Sequence, residues 1–541
     1  MPTLRIDGQS VTTAEGATIL EAARQAGVEI PTLCFREGLP AQTSCMVCVV
    51  RVDEGPRLLP SCATKVREGM VVETVGEQIE HARRMALELL LSDHLGDCLG
   101  PCQLGCPAGL DIPLMIRQIV AGDVAGATRT VRARIPLPRV LGRICPAPCE
   151  STCRRGSHDE AVAIRLLMGW VGDRDPAAPA RRPETSPDSS RRVAVVGAGP
   201  AGLSAAYYLR LAGHAVTLID ERGEPGGGLR QIEAAQLPPG ALEADLADVL
   251  DLGVELRTET RLGRDLTLTD LRAEFDATLL ALGEIDEGMA DALGMPWARR
   301  GLEADRQTHE SPLAGVFVAG SAQSPSGLAV RSVAGGHGAA LAIDQYVRGM
   351  PVTPEPRHFN VNLGRLQQDE AARMAADASA HARLTPSGGD AAGFNDEEAV
   401  REGLRCLHCD CRALSDCRLR ALGEAYNVDT HVYPDDRRRF QRDATHPAIV
   451  FESGKCIACG LCVEVARQYD DELGLTFIGR GFDVRTAVPF GAALAEGLRR
   501  AAIECAEACP TGAIVLRDGA EEASGDDERE DAAGGGPDEG V

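Results

Sequence analysis

Cys34, Cys45, Cys48 and Cys62 are spaced C-x10-C-x2-C-x13-C. The first three lie in TLCFREGLPAQTSCMVC, whose Gly and Pro let a backbone curl around inorganic sulfide, and the fourth returns from PSCAT. Four such thiolates are the donor set of a [2Fe–2S] cluster. A zinc ribbon would need two C-x2-C knuckles, and one is present. His94, Cys98, Cys102 and Cys106 follow at H-x3-C-x3-C-x3-C, then Cys145, Cys149 and Cys153 at C-x3-C-x3-C. Cys406, Cys409, Cys411 and Cys417 form C-x2-C-x-C-x5-C, a metal-binding run for which zinc and [4Fe–4S] are both chemically open; the surrounding redox motifs favour the cluster, and His408 between the thiols reads as a bystander. Cys456, Cys459 and Cys462 at C-x2-C-x2-C, with Cys509 before Pro510, give the bacterial-ferredoxin pattern for one [4Fe–4S] cluster. A second would need cysteine at Ala466 and near Ala502. Cys505 is left over and is expected as a buried thiol.

A different chemistry is written in VAVVGAGPAGLSAAYYLRLAGHAVTLID, which reads as strand, Gly-rich turn, helix, strand and acid. Gly197 makes the tight turn, Gly199 admits a pyrophosphate, and Gly202 lets helix and strand approach. Pro200 and Ala201 open the helix whose N-terminus faces the phosphates. Asp220, 23 residues past Gly197, is placed to accept a ribose hydroxyl.

The elements that position these residues fall into several domains, as 541 residues with 44% hydrophobic content allow. Residues 1–78 alternate short β-like runs (TLRI, VTT, CVVRV, VVETV) with one helix from Ile19 to Ala26. Residues 79–172 carry helical periodicity, and 173–191 are a Pro/Ser/Arg linker. Residues 192–350 form the α/β stretch, and 351–400 are a linker with one helix. Residues 401–445 hold the four-cysteine module, 446–518 the ferredoxin-like domain, and 519–541 an acidic tail expected to be disordered. A net charge of -24 opposes binding to a nucleic-acid backbone. Gly, Pro and Ser interrupt the two uncharged stretches, 193–209 and 311–330, so no membrane span is expected. Without an apolar export segment at the start, the thiols are expected to stay reduced in the cytoplasm and to hold metal rather than disulfides.

IPTLCFREGL, SCMVCVVRV, SCATKVREGMVVET and ARRMALELLLSDH resemble the N-terminal domain of the large iron–sulfur subunit of respiratory complex I, a module also carried by iron-only hydrogenases and NAD-linked formate dehydrogenases and hydrogenases. The resemblance implies a β-grasp ferredoxin fold. After Cys98 that likeness breaks, and CQLGCPAGLDIPLMI with GRICPAPCESTCRRGSHDEAVAIR resembles the helical domain of the glutamate synthase small subunit, shared with dihydropyrimidine dehydrogenase. It implies two [4Fe–4S] clusters, one around Cys98, Cys102 and Cys153, the other around Cys106, Cys145 and Cys149. Two such clusters need eight ligands; Leu141 and Met168 stand where relatives place further ligands, and His94 is either a ligand or a surface or capping histidine. GRGFDVRTAVPFGAALAE again resembles complex I-like and formate dehydrogenase subunits.

EPGGGLR, with Gly227 and Gly228, the run LGVELRTETRLGRDLTLTDLRAEFDATLLALGE, and SPLAGVFVAGSAQSPSGLAVRSVAGGHGAALAI all resemble the glutamate synthase small subunit family. They imply FAD, with Gly320 and Ser321 replacing that family's Gly-Asp pair. The family's second, NADPH-binding domain would follow Gly283, but Gly315 comes only 32 positions later, and a βαβ unit alone takes about 30. The expected fold is thus multidomain α/β: a β-grasp [2Fe–2S] domain, a helical [4Fe–4S] domain, a Rossmann-like FAD domain and a C-terminal α+β ferredoxin-like domain. The expected function is an electron-transfer subunit carrying FAD, one [2Fe–2S] and two to four [4Fe–4S] clusters. Its partner by resemblance is a hydrogenase, a formate dehydrogenase-like subunit or an NADH/FMN-handling subunit. The competing reading is a self-contained NAD(P)H-dependent FAD/iron–sulfur reductase. No nucleophile–base constellation is evident.

Overall fold

The computed structural model describes residues 1–53, 55–174, 184–356, 359–433 and 440–517. Residues 175–183 of the expected 173–191 linker and the whole acidic tail fall outside these residues. The chain divides into two compact units whose segments alternate along the sequence: Met1–Leu99, His358–Asp377 and Cys409–Val541 form the first, Gly100–Arg357 and Ala378–His408 the second.

In the first unit, residues 3–73 build a five-stranded mixed sheet in the order Gln9–Thr12, Thr3–Ile6, Val71–Glu73, Val49–Val52, Leu58–Pro60. The central pair is parallel, with Arg5 opposite Val71. The helix Ile19–Gln25 starts where Thr18 and Glu21 cap each other: the Glu21 N–H donates to Thr18 Oγ1 at 3.2 Å, and the Thr18 N–H donates to Glu21 at 2.6 Å. Its apolar residues Ile19, Leu20, Ala22 and Ala23 are buried in the core beneath the sheet. The helix Glu77–Ser92 buries Ile79, Arg83, Leu87 and Leu91 at four-residue intervals, and Arg83 donates to the Val49 carbonyl at 2.9 Å. The C-terminal part of this unit pairs Ile449–Phe451 with Ile514–Leu516 in antiparallel register. Between them come the helices Leu461–Gln468 and Ala502–Ala508, the second ending directly at Cys509.

The second unit opens with short helices. Asp111 caps Ile112–Val120 by accepting from the Leu114 N–H at 3.1 Å, and Ile112, Met115, Ile116 and Ile119 face its core. The helices Pro138–Ile144 and Ile164–Arg174 cross at glycines: a Cβ added to Gly142 would lie 2.4 Å from the Gly169 Cα. That close crossing fixes Cys145, the first residue past the helix. The following five-stranded sheet is all parallel, in the order Val316–Val318, Ala277–Leu280, Arg192–Val196, Ala215–Ile219, Glu255–Arg257. Its first strand is buried after Arg192, as a parallel sheet covered on both faces requires.

Two expectations change. Residues 351–400 contain two helices, Gln368–Ala375 and Asp396–Gly403. The second forms despite its polar sequence because Asn395 and Glu398 cap each other, with N–H···O distances of 2.9 and 3.0 Å. The third β-hairpin strand, Leu58–Pro60, was not expected; it is a three-residue edge strand that tolerates proline.

Candidate metal and nucleotide sites

Cys34, Cys45, Cys48 and Cys62 are all buried. The Cys34 and Cys45 sulfurs are 3.3 Å apart, and the Cys45 N–H donates to Cys34 Sγ at 3.5 Å. Left-handed backbone at Thr43 and Met46 turns this loop tightly. Within each hydrogen-bonded pair the two thiols are driven apart: Cys34 is pulled down to about 5 and Cys48 down to about 6, while their partners Cys45 and Cys62 are pushed up. Two thiols therefore shed their protons readily, as thiolate ligation requires.

Cys456, Cys459, Cys462 and Cys509 line one cavity of about 340 Å³ together with Thr486 and Thr511. Left-handed residues Ala458 and Gly460 wrap the loop, and the Ala458 N–H donates to Cys456 Sγ at 3.3 Å. Thr486 Oγ1 lies 3.6 Å from Cys456 Sγ, and Thr511 Oγ1 3.6 Å from Cys509 Sγ. Such donors to sulfur are a means of setting a cluster's potential. Burial pushes the Cys459 thiol up to about 12. Cys505 is fully buried and turns its thiol to the Cys462 carbonyl at 3.5 Å, outside the cavity lining, as expected of the leftover thiol.

In the second unit, Cys106, Cys145 and Cys149 line a cavity of about 360 Å³. Leu141 and Met168 also line it, so the corner where further ligands were sought is apolar. Burial raises the Cys149 thiol, with Cys106 adding to the effect. Cys102, Cys153 and Cys406 pack into the same core. Arg155 and Arg405, both buried, tie the Cys153 segment to the Cys406 segment. Arg155 donates to the Arg405 carbonyl at 3.1 Å and to Asp159 at 2.5 Å; Arg405 donates to Asp159 at 3.2 Å and to Glu402 at 2.9 Å.

The boundary between the two units falls within the run Cys406–Cys417. Cys406 belongs to the second unit, and Cys409, Cys411 and Cys417 to the first. Cys98 belongs to the first unit, where the Cys411 N–H donates to the Cys98 carbonyl at 3.2 Å. His94 is in the same unit; burial, reinforced by Lys455, lowers its imidazole to about 4, and its Nδ1 is buried without a hydrogen-bond partner. That excludes a surface or capping role for this nitrogen. Among the described residues no group of three His, Cys, Asp or Glu is placed to hold a single metal ion, so the zinc alternative gains no support.

The nucleotide turn is shaped as its glycines suggest. Gly197 has φ of 106°, and a Cβ there would lie 2.2 Å from the Ala281 carbonyl oxygen. A Cβ on Gly202 would lie 1.8 Å from the Gly197 oxygen, while Gly199 faces open space. The helix Pro200–Leu211 begins at this turn. Two distant segments meet it: a Cβ on Gly227 would lie 2.9 Å from the Gly199 Cα, and one on Gly320 2.8 Å from the Ala201 Cβ, which brings Ser321 and Gly228 to the same end of the sheet. Asp220 is buried and accepts from the Ala198 N–H at 2.7 Å and the Arg222 N–H at 2.9 Å. It thus also braces the turn, a role the spacing did not reveal. Between Gly283 and Gly315 stand only the helix Glu287–Leu293 and two paired two-residue strands.

These sites define a multidomain α/β chain with ferredoxin-like iron–sulfur domains and a Rossmann-like nucleotide domain. Family models match accordingly: a 2Fe-2S iron-sulfur cluster binding domain over residues 1–77, dihydropyrimidine dehydrogenase domain II with its 4Fe-4S cluster over 95–178, and an NAD(P)-binding Rossmann-like domain over 195–256. The chain is similar to the NADPH-Fe(3+) oxidoreductase subunit beta of Geobacter sulfurreducens, 40% identical over 159 residues, 28% of this chain and 23% of that one. It is similar to the NADP(+)-dependent formate dehydrogenase subunit beta of Moorella thermoacetica, 38% identical over 176 residues, 28% and 25% of the two chains. The glutamate synthase [NADPH] small chain of Bacillus subtilis is 35% identical over 158 residues, 27% and 30% of the two. The chain thus spans less than a third of the length of each of these relatives. No helix among the described residues is long and apolar enough to cross a membrane.

Proposed function

We propose that this chain is the electron-transfer subunit of a larger oxidoreductase, holding FAD between iron–sulfur centres. The observation that carries the reading is the gathering of thiols into separate buried or half-buried groups, Cys34/Cys45/Cys48/Cys62, Cys106/Cys145/Cys149 and Cys456/Cys459/Cys462/Cys509, within a chain that also has a nucleotide turn. The mixed sheet of residues 3–73 is read as a β-grasp domain, and the paired strands around Cys456 and Cys509 as a bacterial-ferredoxin-like domain. The clusters and flavin would supply one- and two-electron chemistry. The protein's residues hold the thiolates in place, exclude water and aim N–H and O–H groups at sulfur. Gly197, Gly199, Gly202, Gly227 and Gly320 form the phosphate seat, Asp220 braces it and Ser321 offers a hydroxyl. FAD is preferred to NAD(P) because the second glycine turn and the Gly320 segment close on the first. The short segment 284–314 supports a flavin that exchanges electrons with clusters or another subunit. A reducing, cytoplasmic location suits thiols that must stay available to iron. The partner is a hydrogenase, a formate dehydrogenase-like subunit or an NADH/FMN-handling subunit.

A self-contained NAD(P)H-dependent reductase is the second reading, favoured by the NAD(P)-binding description of the matching Rossmann family. Stopped-flow mixing of the anaerobically purified chain with NADPH or NADH separates the two. Flavin absorbance unchanged on the millisecond scale supports the relay subunit; rapid bleaching supports the reductase. A preparation without flavin and iron would overturn both.

A further inference from the structure

Ser61 follows the edge strand Leu58–Pro60 and precedes Cys62, and it is completely buried. Its main chain is fully committed. The Ser61 N–H donates to the Cys48 carbonyl at 3.1 Å, and its carbonyl accepts from the Leu20 N–H at 3.1 Å, so one side is tied to the cysteine loop and the other to the helix Ile19–Gln25. The turn around it is pinned as well: the Ala63 and Thr64 N–H groups donate to the Pro60 carbonyl at 3.3 and 3.1 Å, and Thr64 Oγ1 donates to the same oxygen at 2.8 Å. The Thr64 hydroxyl thus has its acceptor. The Ser61 hydroxyl does not: its oxygen is sealed from solvent without a hydrogen-bond partner. Burying a hydroxyl in this way forfeits the bonds that water gave it, and an alanine would fill the same place without that cost. A serine here calls for an acceptor that the folded chain alone does not provide.

Sulfur is within its reach. The Cys48 thiol is pulled down chiefly by its bond with Cys62, against the effect of burial, and the Ser61 hydroxyl adds to that pull. The other thiol pair has a serine too, but Ser44 adds to the effect of Cys45 on Cys34 from an exposed position, where water competes for its hydroxyl. We propose that the Ser61 hydroxyl donates a hydrogen bond to sulfur on the Cys48/Cys62 side of the [2Fe–2S] cluster and so raises that cluster's reduction potential. This rests on the reading of Cys34, Cys45, Cys48 and Cys62 as the cluster's ligands and adds a tuning residue to it. Ser61 makes no bond to iron; it acts through sulfur. One-electron reduction adds negative charge that the sulfurs share, and a donor aimed at them binds the more charged form better. Inside a site closed to water that bond has no solvent competitor, so a single hydroxyl counts for more there than on the surface.

The test uses the full chain, purified without oxygen and titrated with dithionite while the [2Fe–2S] EPR signal is followed; samples exchanged into heavy water are read by deuterium ENDOR. Ser61→Ala keeps the backbone and removes only the donor. Its reduction equilibrium is expected to fall about tenfold, the order of a hydrogen bond to a charged acceptor, which for a one-electron couple is about 59 mV toward lower potential. Its iron content stays at the wild-type level, and one exchangeable deuteron coupling present in the wild type is lost. An iron-loaded Ser61→Ala chain with the wild-type potential, or with every deuteron coupling retained, would overturn the proposal and leave the relay standing. So would a Ser61→Ala chain unable to hold its iron, which would make the hydroxyl a requirement for assembly instead of a tuning group. A wild-type chain with no [2Fe–2S] signal at all would sink the underlying reading instead.

Discussion

The thiols of residues 34–62 come from one loop and the turn that follows it, whereas Cys98 meets Cys411 only after most of the chain has intervened. In the first region the ligands sit on a sheet with its own core, formed by Leu4, Ile6, Val50, Val72 and their neighbours, so the loop is positioned by local structure. In the second, no short segment supplies the set. The bond between Cys411 and Cys98 closes a long loop, and closing a long loop restricts the unfolded chain more than closing a short one. The contrast separates a site that a fold carries from a site that holds a fold together.

Removing the iron should show this difference most strongly. Anaerobic chelation is expected to abolish amide protection around residues 94–98 and 409–417 while leaving residues 3–25 protected, as hydrogen exchange read by mass spectrometry would show. Equal loss in both regions would erase the distinction. A long-range tie of another kind holds the second unit, where Arg405 donates to the distant Asp159 at 3.2 Å and to its fully buried near neighbour Glu402 at 2.9 Å. Arg405→Ala should cost about 3–5 kcal/mol, because it strands a buried carboxylate; denaturant unfolding measures it, and a change below 1 kcal/mol would count against the tie. A purely local site makes the opposite prediction. Gly202→Ala places a methyl against the Gly197 carbonyl, so flavin content should fall at least about tenfold, roughly 1.4 kcal/mol of binding, with cluster iron unchanged.

The smallest effect should come from pH. The Arg155 guanidinium holds Asp159 down to about 2, below its ordinary value of 3.8. A depressed carboxyl favours the folded state above its unfolded value and loses that contribution as pH falls from about 4 through 2. Asp159 is partly exposed, so screening limits its share to no more than about 1 kcal/mol. Asp159→Asn should flatten the acid limb of the second unit's stability curve by that amount; an unchanged limb would show that Arg155 finds its partner elsewhere.

The same contrast governs what could be read from the residues alone. Cys34 through Cys62, the Cys456 loop with Cys509, and the Gly197 turn were legible because the spacing of their residues is itself the geometry of the site. The bond from the Cys411 N–H to the Cys98 carbonyl was not legible, since more than 300 positions separate the two residues. Nor was Asp220's bond to the Ala198 N–H, because a carboxylate at that position reads equally as a ligand or a brace. His94 was left open for the same reason: the charges that act on it, Lys455 and Glu452, come from more than 350 positions away.

Three glycines surround the Lys455–Cys456 step. A Cβ on Gly96 would collide with the Lys455 chain at 2.6 Å, one on Gly454 with the Leu95 Cβ at 2.8 Å, and one on Gly512 with Cys411 Sγ. These close approaches, between residues 95–96 and 454–455 and between Gly512 and Cys411, therefore hold hydrogen atoms where any other residue would carry carbon. A methyl group at one of these α-carbons would act as a wedge, pushing the 95–96 turn off the 454–455 segment or the Gly512 turn off Cys411.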